Sequence, residues 1–173
     1  MAETCVLKVA GITGGYCIRV EGRGTMRESH SAAQFAARPL AEPDMAVVVD
    51  LSACEYLDST FLGCLVDMHR RAGKSAPPRF HVVAPPEQVR KLLHPMRLEL
   101  VLRPSADPPQ VLGEFVPLPA ADPGSADVMR HVMQCHRLLA DVGGPQRAAF
   151  AAIADSIEKE LEKSGKAVGK PTG

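Results

Sequence analysis

The sequence predicts an α/β protein: a mixed sheet of about five strands with a hairpin at one edge and helices packed on it, followed by a C-terminal helical hairpin. Three observations lead there. Short β-type runs alternate with segments of 3.6-residue apolar period. The first two runs are separated only by a glycine-rich turn. Beyond a proline-rich stretch, two amphipathic stripes flank Gly143-Gly144-Pro145. With 173 residues, of which 46% are hydrophobic and 23% charged, the chain has the length of one main domain. Such a chain buries roughly two-thirds of its unfolded surface, enough to fold without a metal or disulfides.

Residues 3–10 and 16–21 read as two strands joined through Gly11, Gly14 and Gly15, an antiparallel hairpin. Thr25-Met-Arg-Glu28 is a capping-box pattern that opens a helix over about 26–37. Pro39 and Pro43 break the chain before Met45–Leu51, whose unbroken apolar centre suits a strand covered on both faces. Leu62, Leu65, Val66 and His69 recur at helical spacing and predict a helix over 59–72. Arg79–Ala84 is the next strand, Pro85-Pro86 starts a helix carrying Val89, Leu92 and Leu93, and Leu98–Leu102 reads as another strand. These elements occupy residues 1–102.

Residues 103–124 contain Pro104, Pro108, Pro109, Pro117, Pro119 and Pro123 and read as a stiff linker with one short strand near 114–118. In the hairpin expected over 125–162, Val128, Val132, Cys135, His136 and Leu139 share one helix face. Phe150, Ile153, Ile157 and Leu161 share the other stripe. Two helices alone bury too little to be stable, so the seam must close on the α/β domain or across a homodimer axis, and the homodimer is slightly favoured. The tail 163–173, rich in Lys and Gly, is expected to be disordered.

Composition narrows the function. Twenty basic and twenty acidic residues give zero formal charge, which leaves no electrostatic footprint for nucleic acid. The odd set Cys5, Cys17, Cys54, Cys64 and Cys135 sits among apolar neighbours and suits reduced thiols in a cytoplasmic protein. The N-terminus shows no signal-peptide pattern, and no run approaches the ~20 apolar residues of a membrane span. His131 and Cys135, at i and i+4, could share a metal, but two ligands make no site, so no metal or cofactor is expected. Gly22-Arg-Gly-Thr25 lacks the Gly-Lys-Ser/Thr ending of a phosphate loop, and Ser59 lacks a nucleophile elbow, so no catalytic residue is assigned and no enzyme is expected. His69 reads as an ordinary helix histidine.

One hydrophilic cluster interrupts the buried pattern: Asp58-Ser59-Thr60, where a helix should begin. Its amides and partial positive charge favour an anion there, and Asp58 can serve as N-cap. Asp50-Leu51 ends an apolar strand and is followed by Asp58-Ser59-Thr60-Phe61-Leu62-Gly63. That pattern resembles the STAS family of anti-sigma-factor antagonists, whose motif runs Asp-Ser-Ser/Thr-Gly-Leu-Gly. The resemblance covers residues 3 to about 102. It implies a bacterial, cytoplasmic phosphoprotein of signal transduction and transcription regulation that acts by partner switching. The implied partner is an anti-sigma factor and serine kinase of the GHKL type, with a serine phosphatase to reverse the modification. Ser59 would be the phosphorylation site and Thr60 the second choice. Asp58, Ser59, Thr60, Phe61 and Leu62 would form the partner-binding surface. Phe61 stands where the family has glycine, and its ring is expected either to block a kinase or to enlarge an apolar docking surface. The alternative is a non-switching STAS-like scaffold or small-ligand-binding subunit.

Overall fold

The computed structural model describes residues 5–122 and 124–168. The chain enters through β1 (Val6–Ile12) and β2 (Gly15–Gly24), which pair antiparallel with Leu7 opposite Val20 and Ile12 opposite Gly15. A Cβ on Gly15 would lie 1.9 Å from the Ala46 carbonyl oxygen, so the turn admits no side chain there. Helix α1 (Met26–Ala41) follows, then β3 (Ala46–Asp50), β4 (Cys54–Leu57), α2 (Ser59–Ala72) and β5 (Phe80–Val83).

Among the described residues six strands make up the sheet, in the order β5-β3-β2-β1-β6, where β6 is Val111–Leu118, with β4 paired to β2 off that path. The β1–β2 hairpin is therefore not at an edge. The first half of β2 pairs parallel with β3 and its last residues pair parallel with β4, so one long strand feeds two neighbours. β4 has no signal in the sequence, because four residues are too few for an alternation to show. Val47 and Val49 enter the main core under α1 and α2, while Val48 joins Cys17, Val83, Ile12 and Phe115 in a second cluster. Both faces of β3 are thus covered, as its apolar run requires.

Three expectations are corrected. Pro39 does not end the first helix, which continues to Ala41. Leu98–Leu102 is not a strand: α4 (Glu99–Leu102) is one helical turn, flanked by Arg97 and Arg103 in the left-handed region. Leu98 and Leu102 are buried one turn apart while Leu100 is 68% exposed, the opposite of a strand that would bury all three on one side. Before it, α3 (Pro86–Gln88) continues as a π-helical turn over Val89–Leu93 and a 3-10 turn over His94–Met96. Finally, the proline-rich stretch supplies a full strand, β6 (Val111–Leu118), antiparallel to the outer edge of β1. Ser105 bridges to Val83 at the opposite side of the sheet, so residues 106–110 must cross it. Pro117 is tolerated because β6 is an edge strand.

Helices α5 (Ala126–Val142) and α6 (Arg147–Val168) form the C-terminal hairpin. Its helical end runs past 162, against the expectation of a disordered tail from 163, since Lys163 to Val168 remain helical. Residues 169–173 of that tail lie outside the described residues. The apolar stripe closes on the chain itself, with Cys135, Leu139, Ala140 and Phe150 joining the main core. The α6 stripe is covered only in part: Phe150 is buried, whereas Ile153 is 42% exposed and Ile157 and Leu161 are half-buried, so the expected common seam does not include Ile153.

Arg79 ties the corner of the fold where α1 and α2 end. Its guanidinium donates to the carbonyls of Ala72 (2.8 Å), Glu42 (2.7 Å) and Leu40 (3.1 Å). Nothing in the sequence marks it. Arg79→Ala should cost about 2–3 kcal/mol in urea unfolding, because helix-end carbonyls lose a charged donor, and Arg79→Lys should not restore the loss.

Candidate functional site

The Asp58-Ser59-Thr60 cluster opens α2, as its sequence implies. Asp58 is the N-cap, with Oδ1 accepting from the Phe61 amide at 2.8 Å. Its second oxygen accepts from the Met26 amide, also at 2.8 Å, in the first turn of α1. One carboxylate thus caps two helices. The two helix starts are neighbours because the Asp58 amide donates to the Gly24 carbonyl (3.0 Å), continuing the β2–β4 ladder to the start of α2. Beside it, the Glu28 carboxylate accepts from the amide (2.9 Å) and hydroxyl (2.6 Å) of Thr25, as the capping-box pattern suggested. Burial raises the Asp58 pKa, opposed by its two backbone donors. The Phe61 amide is consequently occupied by Asp58 and is not waiting for an anion.

The other site candidates divide sharply. Ser59 is half-buried in the first turn of α2, whereas Thr60 (3% exposed), Phe61 (0%) and Leu62 (6%) are inside. Phe61 therefore neither blocks an approach nor enlarges a docking surface. Its ring packs where Gly24 has no side chain: a Cβ on Gly24 would stand 2.9 Å from Phe61 Cδ2. Thr60 has no accessible hydroxyl as the second phosphorylation choice.

Ser59 is also covered, by α5. Its Oγ lies 2.9 Å from His136 Nε2, and His136 Nδ1 lies 2.9 Å from the Val132 carbonyl oxygen. A carbonyl can only accept, so Nδ1 carries the proton of a neutral ring, and Ser59 donates to Nε2. Burial lowers the His136 pKa and favours that neutral form. His136 stood in the sequence as a polar member of an apolar stripe, which was the only signal that it would meet a buried polar partner. A few ångströms on, α5 crosses α2 at Gly63, where a Cβ would be 2.4 Å from the Cys135 carbonyl oxygen. The last glycine of the motif is thus a helix-crossing point.

A second serine–histidine pair closes the same seam. Ser29 Oγ donates to the Met26 carbonyl (3.0 Å) and meets His131 Nε2 at 2.9 Å, with Cys135 Sγ 3.6 Å from the same nitrogen. No group of three or more His, Cys, Asp or Glu side chains suited to a metal occurs among the described residues. His69 packs edge-on against Phe80. Burial holds the His131 pKa down at about 4. The unfolded chain takes up that proton near pH 6.5, so between about pH 6.5 and 4 it binds more protons than the folded chain. The His131 contribution to stability is therefore level above pH 6.5 and falls on acidification below it. The urea midpoint at pH 5.5 should lie below that at pH 7.5, and His131→Gln should flatten the difference.

The family model described as "Mlab, STAS domain" matches residues 14–104, more than half of the chain. An anti-sigma factor antagonist from Mycobacterium paratuberculosis has a crystal structure similar to residues covering 60% of this chain and 87% of its own, at 24% identity and a TM-score of 0.50. The anti-sigma factor antagonist SpoIIAA in its unphosphorylated form covers 55% of this chain and 96% of its own, at 12% identity and a TM-score of 0.43. No curated protein matches the chain in sequence. Among the described residues, no helix is long and apolar enough to cross a membrane.

Proposed function

The chain belongs to the STAS domain family, and from that premise we propose that it is a regulatory protein-binding module of the anti-sigma-factor-antagonist type, switched by phosphorylation at Ser59. Its docking surface centres on the start of α2, and its partner is a kinase-type anti-sigma factor of the GHKL class. In the switching step, Ser59 Oγ bonds to the γ-phosphorus of partner-bound ATP, the bond to the bridging oxygen breaks, ADP leaves, and the hydroxyl proton passes to a base. The added charge of about −1.5 to −2 would be poorly desolvated in an interface and so weakens docking. A serine phosphatase resets the switch.

The observation that carries this reading is the placement of Ser59. It is a half-buried serine in the first turn of α2, directly after the capping Asp58, while Thr60 is buried. Transcription regulation by partner switching in a bacterial cytoplasm follows from the same reading. No residue is given a catalytic role.

One observation favours the non-switching scaffold instead: the Ser59 hydroxyl is committed to His136. The two readings separate by experiment. A purified GHKL-type anti-sigma kinase from the same organism, with ATP, should add one phosphate to Ser59 by mass spectrometry. Ser59→Asp should weaken binding at least tenfold by calorimetry with the fold unchanged, since a carboxylate is tolerated at a helix N-terminus. Equal affinity of wild type and Ser59→Asp would establish the scaffold.

A further inference from the structure

We propose that the α5–α6 hairpin is an intramolecular cover for the surface around Ser59, one that must leave α2 before a phosphoryl donor or a partner can reach that serine. This rests on Ser59 being the switch of the proposed function.

Three observations meet here. First, the occupied space is the serine's own: Ser59 Oγ lies 2.9 Å from His136 Nε2, so a phosphoryl group on Oγ and the imidazole compete for one position. Second, at Gly63 the α5 backbone sits where even a methyl group would collide, 2.4 Å from the Cys135 carbonyl oxygen. No partner element can share this face of α2 with α5. Third, the seam carries polar contacts that water can replace. Ser59–His136 and Ser29–His131 lie within it, and the Arg70–Asp141 ion pair (3.4 Å) at its margin is exposed on both sides. Around these polar points the seam is apolar, with Val132, Cys135 and Leu139 buried, so lifting the hairpin exposes aliphatic surface and the open fraction is small.

The hairpin is also built to move as one body. Arg137 pairs with Glu158 across α5 and α6 at 2.6 Å, and the Phe150 ring packs on His136 with centroids 5.7 Å apart. It contributes no strand to the sheet. On its N-terminal side it is held by a short tether, in which the Ala121 carbonyl accepts from Arg27 Nε at 3.2 Å and the Ala121 amide donates to the Arg27 carbonyl at 3.3 Å. A partner then binds only the open fraction, so apparent affinity falls in proportion to how rarely the cover lifts.

The test uses the full chain and no partner, so its failure leaves the role of Ser59 to the kinase and calorimetry experiments. In Ser59→Cys, the reaction of the introduced thiol with 5,5′-dithiobis(2-nitrobenzoate) is followed with increasing urea, and labelled peptides are assigned by mass spectrometry. Cys54 and Cys17, fully buried in strands, report global unfolding. The introduced thiol and Cys135 should react at the same protected rate, with a weaker urea dependence than Cys54. Phe150→Ala, which touches His136 but lies on α6, should raise both rates at least tenfold and leave Cys54 unchanged. Cys135 in the otherwise wild-type chain gives the same reading with no substitution at the seam. An introduced thiol that reacts as fast as an unprotected one would overturn the cover. So would reaction of that thiol and Cys135 only together with Cys54, because the hairpin would then be inseparable from the core.

Discussion

Asp58→Ala should lower the stability of the chain by about 2–4 kcal/mol in urea unfolding, roughly twice the usual loss of an N-cap. An ordinary cap serves one helix. Here Oδ1 serves the Phe61 amide of α2 and Oδ2 the Met26 amide of α1, each at 2.8 Å. Alanine leaves both amides without their partner at a half-buried junction where water enters poorly. Asp58→Asn should recover about half of the loss, since its single carbonyl oxygen can serve one amide and its NH₂ group repels the other. A loss of less than about 1 kcal/mol for Asp58→Ala would mean that the Met26 bond holds nothing, and that α1 is positioned by Thr25 and Glu28 alone.

Gly63→Ala should destabilise by about 1–3 kcal/mol and lift α5, although alanine is the better helix former by about 1 kcal/mol. Two effects of opposite sign compete, and geometry decides between them. The new Cβ would stand 2.4 Å from the Cys135 carbonyl oxygen and 2.7 Å from both the carbonyl carbon and the Cβ of Cys135. Two of these atoms are backbone of a packed helix, which cannot swing aside as a flexible side-chain tip could. The signature is local: Cys135 should become reactive to thiol reagents while Cys54 stays protected, and the Ser59–His136 bond should be lost with it. A stabilised Gly63→Ala variant would show that α2 and α5 can separate slightly at no cost, and the close crossing would have no energetic consequence.

Much of the site could be read from the chain. Asp58-Ser59-Thr60 announces a helix start because short polar side chains bond their own backbone more readily than they sit in helix interiors. The capping of Phe61 by Asp58 is that local rule made visible. The bond from Asp58 to Met26 could not be read, because it depends on β4 laying the end of β2 beside the start of α2, and β4 is too short to signal itself. Phe61 misled for a related reason. A large ring in a motif that prefers glycine suggests a surface feature, whereas the structure spends it filling the space over Gly24. Leu98–Leu102 misled because five residues rich in Leu and Val satisfy a strand and a helical turn equally, and only the exposure of Leu100 separates them.

The sequence by itself determined which faces are apolar in β3, which is covered on both sides, in α2 and in α5, but for α6 it found only Phe150, since Ile153 of the same stripe faces outward. It also determined where α2 begins and that Ser59 lies in its first turn. A period names a face but not the surface that will meet it, because every aliphatic stripe gains the same transfer free energy from any apolar neighbour. Only the tertiary structure decided that the α5 stripe closes on α2 and not on a second chain. It decided too that the Ser59 hydroxyl donates to a histidine 77 residues away. Such a contact leaves no local trace, since its two ends are brought together by the sheet order and by the single glycine at which the helices can cross.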